Sequence, residues 1–201
     1  MLISGGGRSL QNLIDRSRAG MLKASVTKVI SSLSSAYGLE RARQAGIPTA
    51  VVRRKDHPDT ESFSGAITAE LDACAPDAVV LAGFMCFYCV PAAYAGRVMN
   101  IHPALLPSFG GKGFYGERVH EAVLRHGCKV SGCTVHFVDN VYDHGPIVVQ
   151  KVVRVLEDDD AHSLADRVFQ QELEALPEAI NLMTEGRLRI EDGRVRILPA
   201  C

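Results

Sequence analysis

At 201 residues and 21.7 kDa the chain fits one domain of the larger kind, long enough to bury a core without covalent staples. A net charge of −1 and a pI near 6.6 exclude the general basic footprint of a nucleic-acid binder, and no apolar run approaches the roughly 20 residues of a membrane span. Six cysteines are too few for a dense disulfide framework at this size, so reduced thiols and a cytoplasmic location are expected.

Met1 to Ser4 reads as a short strand feeding Gly5-Gly6-Gly7, and the helix beyond carries Leu10, Leu13 and Ile14 at i, i+3, i+4 spacing. Val26 to Ser31 reads as a second strand, Tyr37 to Ala45 as a helix ended by Gly46, and Thr49 to Arg53 as a third strand. A helix over Phe63 to Cys74 stops before Pro76, and Ala78 to Ala82 is continuously apolar, as a strand covered on both faces should be. Val98 to His102 is the next strand, followed by a glycine-rich loop to Gly116 and a helix from Glu117 to His126. Ser131 to Asp139 and Ile147 to Leu156 lie too close together for a helical crossover, which predicts an antiparallel hairpin. Ala161 to Glu185 reads as a long terminal helix kinked at Pro177, and Glu191-Asp192-Gly193 turns a last hairpin between Arg187 to Ile190 and Arg194 to Leu198. The alternation predicts a single domain over 1–201 of the α/β class. It is Rossmann-like, an open and mostly parallel sheet with helices on both faces and an antiparallel addition in the C-terminal half.

Three residues carry the chemistry. Asn100 and His102 stand two apart in a strand, so they face the same side and can converge on one reacting atom. Pro103 biases His102 toward an extended backbone, and Asp143 sits in a loop that can reach the imidazole. An amide donor, a histidine and an orienting acid suit stabilisation of an oxyanion during acyl transfer.

Other motifs are weaker. Gly5 to Ser9 follows a strand and opens a helix, which suits a phosphate and equally suits a tight turn; neither the G-x-G-x-x-G spacing nor a GK[ST] ending is present. His120 and His136 read as structural groups behind the site. Cys86 and Cys89, taken with Cys128 and Cys133, do not have the spacing of a zinc knuckle, so bystander thiols and no metal are expected. Glu157 to Asp160 reads as the cap and first turn of the long helix.

Six ordered segments resemble the phosphoribosylglycinamide formyltransferase family across nearly the whole chain. They are Leu2 to Gly7, Tyr37 to Ala42, Val80 to Met85, Asn100 to Pro103, Gly132 to Val138 and Asp143 to Pro146. The resemblance implies a formyltransferase fold and transfer of a formyl group from 10-formyltetrahydrofolate to the amine of glycinamide ribonucleotide, a step of de novo purine biosynthesis. It makes Asn100, His102 and Asp143 the catalytic trio, with Asp143 orienting His102 and favouring its protonated form. Gly5, Gly6, Gly7, Arg8, Ser9, Pro103 and Glu172 would hold the ribonucleotide. Phe84, Met85, Cys86, Phe87 and Tyr88, with Val138, Asp139 and Asn140, would enclose the folate. Cys86 stands where the family often has arginine. The implied partners are these two small molecules, with no nucleic acid and no membrane, in a monomer or homodimer. Another folate-dependent formyl transferase or hydrolase, or a non-catalytic folate- or nucleotide-binding homologue, is the competing reading.

Overall fold

The computed structural model describes residues 1–200, which fall into two compact units, one ending at Met99 and the other opening at Asn100. In the first unit β1 (Leu2–Ile3) pairs in parallel with β2 (Val29–Ser31) and β4 (Val79–Ala82), and β2 pairs in parallel with β3 (Thr49–Val51). The order is β3-β2-β1-β4. All four residues of β4 are buried, as its unbroken apolar run predicts.

The helices follow their apolar spacing. Helix α1 (Arg8–Arg18) turns Leu10, Leu13 and Ile14 inward, where Leu10 and Ile14 meet Ile3, Val29 and Ala42 of α2 (Tyr37–Gln44). Burying each such aliphatic side chain contributes about 1.5–3 kcal/mol. Helix α3 (Thr60–Asp72) starts three residues before the sequence pattern, because the Asp59 carboxylate accepts the Ser62 N–H at 2.7 Å and caps it. β3 ends two residues early, since Arg53 closes a tight turn by pairing with Asp56 at 2.6 Å.

In the second unit β5 (Val98–His102), which runs across the unit boundary, β6 (Val130–Phe137) and β7 (Ile147–Arg154) follow in that order. β6 and β7 form the expected antiparallel hairpin, with a bulge between Val135 and His136. Helix α4 (Glu117–Arg125) buries Val119, His120, Ala122 and Val123. Helix α5 (Ala161–Thr184) is capped by Asp160 and Ser163 exchanging bonds, while Asp159 grips Arg167 at 2.6 and 2.8 Å. It packs on β6, β7 and α4, and it continues through Pro177 without ending. A last hairpin joins β8 (Leu188–Glu191) to β9 (Arg194–Ile197), and its turn residues Asp192 and Gly193 both take positive φ, as the sequence signal requires. The chain is therefore α/β with mostly parallel strands and an antiparallel addition in its second half, as expected.

Candidate active site

The second unit brings Asn100, His102 and Asp143 together. Asn100 Nδ2 donates to Asp143 Oδ1 at 3.3 Å, and His102 Nδ1 lies 3.6 Å from Asp143 Oδ2, a charge-pair distance longer than a hydrogen bond. His102 Nε2 is 2.9 Å from the carbonyl oxygen of Phe109. A carbonyl only accepts, so Nε2 carries the hydrogen. The Gly111 N–H donates to Asp143 Oδ2 at 2.9 Å, so the loop after Pro107 touches both the imidazole and the carboxylate. Phe109 (φ 53°) and Asp143 (φ 51°) are both left-handed, a conformation that costs about 1–3 kcal/mol for residues other than glycine and is held by the contacts around it.

His136 belongs to this constellation more directly than its sequence position suggests. Its Nδ1 lies 2.9 Å from the Phe137 carbonyl oxygen and therefore carries a hydrogen, and its Nε2 accepts from Asn100 Nδ2 at 3.1 Å. Asn100 thus has two acceptors for its amide, which fixes which end is the NH₂. The signal in the sequence was spacing: Thr134 and His136 stand two apart in a mostly apolar strand, and Thr134 Oγ1 bonds to Ala104 O and Leu106 N just beyond His102. The contributions of the Phe109 carbonyl and the Gly111 N–H are backbone ones and had no side-chain signal.

Asp143 pulls the His102 imidazole toward its protonated form, the direction expected, but it does not act alone. Burial pushes the His102 imidazole below its usual range, and this outweighs the opposing pull of Asp143 and the Phe109 carbonyl. The isolated site therefore holds a neutral His102, although Asp143 acts in the expected direction. Burial would raise the Asp143 carboxyl, but the adjacent His136 ring, 3.7 Å away, the positive charge that His102 can take up and the Gly111 N–H together bring it below its usual range. His120 is pushed down to about 4 by burial and by the His102 charge, and its Nδ1 is buried without a partner.

These histidines set an acid limit on stability. Both rings stay neutral in the folded chain where the unfolded chain would bind a proton. From about pH 6.5, the unperturbed histidine value, downward the unfolded state holds more protons, and stability falls as pH falls. For His120 this window closes at about 4. His120→Gln should flatten the decline in urea midpoint between pH 7 and pH 5; an unchanged slope would assign the acid sensitivity elsewhere.

The remaining candidate residues divide between the units. In the first, Gly5 and Gly6 are exposed, Gly7 is left-handed at φ 70°, Arg8 is exposed and Ser9 is half-buried at the mouth of α1. Ser4 ties this loop to the next one: its N–H donates to Gly83 O at 3.0 Å and its hydroxyl accepts the Met85 N–H at 2.8 Å. Phe84 stacks on the buried Phe63 with centroids 6.3 Å apart, Met85 is exposed, and Cys86 and Phe87 are half-buried. Tyr88 is buried and its hydroxyl bonds to Thr68 of α3 at 3.0 Å, so its ring is part of the core. In the second unit, Pro103 and Val138 are half-buried, and Asp139 and Asn140 are exposed, with Asp139 holding His144 at 2.6 Å. Glu172 is half-buried on α5, where its charge helps raise the buried Cys133 thiol to about 12, after burial itself. Among the described residues no group of three His, Cys, Asp or Glu side chains is placed to hold a metal ion.

Comparison with known proteins gives a consistent set of likenesses. Residues 1–180 match the family model described as formyl transferase. The chain is 38% identical over 195 residues to the phosphoribosylglycinamide formyltransferase of Escherichia coli (strain K12), covering 96% of this chain and 90% of that protein. It is 43% identical over 190 residues to a trifunctional purine biosynthetic protein of Drosophila melanogaster, covering 92% of this chain but only 14% of that much longer relative. Among solved structures, glycinamide ribonucleotide transformylase 1 from Symbiobacterium toebii superposes with a TM-score of 0.93 at 44% identity, covering 98% of this chain and 92% of that one.

Proposed function

The chain belongs to the formyl transferase family, and on that footing we propose that it moves the formyl group of 10-formyltetrahydrofolate to the amine of glycinamide ribonucleotide in de novo purine biosynthesis. The observation that carries the reading is the convergence of Asn100 and His102 on Asp143, within a family whose relatives of matching length bear that activity in their names.

In this reading the neutral amine attacks the formyl carbon directly and no covalent enzyme intermediate forms. The C–N bond to the acceptor forms as the carbonyl becomes a tetrahedral oxyanion. Then the bond to the folate nitrogen breaks, the acceptor amine loses a proton and the folate nitrogen gains one. As the oxyanion develops it takes the place of one of the two acceptors of Asn100 Nδ2 and of the Phe109 carbonyl on His102 Nε2, and so receives a hydrogen bond from each. His102 starts neutral, so its carboxylate neighbour matters most when charge builds: Asp143 lowers the cost of the imidazolium formed while the ring carries the proton lost by the acceptor amine on its way to the folate nitrogen.

Binding roles follow the same reading. The N–H groups of Gly5 to Ser9 at the entrance to α1 seat the ribonucleotide phosphate, and Pro103 and Glu172 contact the rest of that substrate. Backbone groups of Phe84 to Tyr88, with Val138 to Asn140, pair with the pterin edge, and Met85 covers it. Residues 1–201 act as one formyltransferase domain, a cytoplasmic monomer or homodimer with small-molecule substrates. Neither nucleic acid nor membrane is needed as a partner, in keeping with a net charge of −1 and with no helix long and apolar enough to cross a membrane among the described residues.

The test is formyl transfer assayed with both substrates and with each alone. Product that requires the ribonucleotide is expected. Formate released at the same rate without it would make the protein a hydrolase, and ligand binding without either product would make it a non-catalytic homologue.

A further inference from the structure

The carbonyl groups of the glycine loop are held by three donors. Gly5 O accepts from Gly38 N at 3.1 Å, Gly6 O from Arg41 Nε at 2.9 Å and Gly7 O from Gln11 N at 2.9 Å. Among the described residues, no protein group accepts from the N–H of Gly5, Gly6 or Gly7. In a trans peptide the C=O and the following N–H point in opposite directions. Turning the Gly6 carbonyl inward therefore turns the Gly7 N–H outward, and the same holds for each of its neighbours. An anion is attracted by such N–H groups and repelled by carbonyl oxygens, so the affinity of the loop depends on which way each peptide faces.

Two of these donors are backbone groups fixed by helices. The Gly6 carbonyl alone is held by a side chain. Arg41 is itself clamped: its Nη1 donates to Gln11 Oε1 at 3.2 Å, and its guanidinium lies 5.0 Å from the Tyr37 ring centroid. The planar fork cannot swing away from Gly6 without giving up both contacts. Space is also restricted, since a Cβ on Gly7 would lie 2.7 Å from the Gly38 Cα.

We infer that Arg41 is a positioning residue for the phosphate of the ribonucleotide substrate. It holds the Gly6–Gly7 peptide with its N–H toward the anion, and its charge adds to the attraction. The inference rests on the proposed function, in which the glycine loop seats that phosphate.

The experiment measures KM and kcat for the ribonucleotide, and calorimetric binding of the ribonucleotide and of its dephosphorylated ribonucleoside, in wild type, Arg41→Ala and Arg41→Gln. Arg41→Ala should raise KM and the ribonucleotide Kd by about tenfold, the scale of a lost hydrogen bond to a charged group, with kcat within about twofold. Binding of the ribonucleoside should not move. Arg41→Gln, which keeps an N–H donor within reach of Gly6 O, should recover part of the loss. Equal losses for both ligands, a fall in kcat at constant KM, or no change at all would overturn the inference. Should Arg41→Ala fail to fold, Arg41→Met keeps most of the apolar stem without a donor or a charge, and the same rise in KM is expected of it. A wild-type protein that binds ribonucleotide and ribonucleoside equally would instead overturn the phosphate seat.

Discussion

His102→Ala is expected to lower kcat by at least about a hundredfold, the usual scale for a lost oxyanion or acid-base group, with little change in KM. The imidazole is 4% exposed and lies between the Asp143 carboxylate and the Phe109 carbonyl, where alanine offers no donor. Asn100 keeps its own two acceptors in the variant, which separates loss of the ring from collapse of the site. Single-turnover rates measured beside thermal melts would check this. Near-normal turnover in a folded His102→Ala protein would remove the trio as the seat of catalysis.

Gly145→Ala should damage both stability and turnover, although position 145 contacts no substrate in the proposed reading. A Cβ there would overlap the carbonyl oxygen of Phe137 and lie 3.4 Å from Asp139 Cγ. The contact is with backbone, so no rotamer change relieves it. Moving Phe137 disturbs its N–H bond to Pro146 O, 2.9 Å long, and the carbonyl that orients His136, hence the Asn100 amide. Overpacking of this kind costs about 1–3 kcal/mol, or roughly 2–12 °C in Tm for a chain of this size. Turnover should fall about tenfold, the scale of a catalytic amide displaced from its preorganised position. Unchanged melting with unchanged kcat would show that the β6 end yields freely and that His136 does not orient Asn100.

Much of this arrangement was written in the sequence. The period-two placement of Asn100 and His102 predicted their convergence, the β-branched runs around Asp143 predicted the hairpin that presents it, and Leu10, Leu13 and Ile14 predicted the buried face of α1. The errors lie where tertiary contacts override local pattern. β3 is cut short by the Arg53–Asp56 pair, and α3 is lengthened by the Asp59 cap. The ionisation of His102 could not be read from its neighbours in sequence, because burial, which exceeds the pull of Asp143, is a property of the folded unit. The hold of Arg41 on Gly6 spans 35 residues and has no local signature. Phe109 and Gly111 act through backbone groups, which every residue possesses, so composition could not single them out.

The double hold on Asn100 also bears on how the protein ages. An asparagine loses ammonia when the nitrogen of the following residue folds back onto its side-chain carbon, closing a five-membered ring. Here the amide is drawn the other way by His136 Nε2 and Asp143 Oδ1, the backbone is extended in β5, and the next residue is the stiff, β-branched Ile101. The same contacts that aim Asn100 at the reacting carbonyl therefore protect it from spontaneous conversion to aspartate, which would set a second negative charge beside Asp143 where an oxyanion has to form.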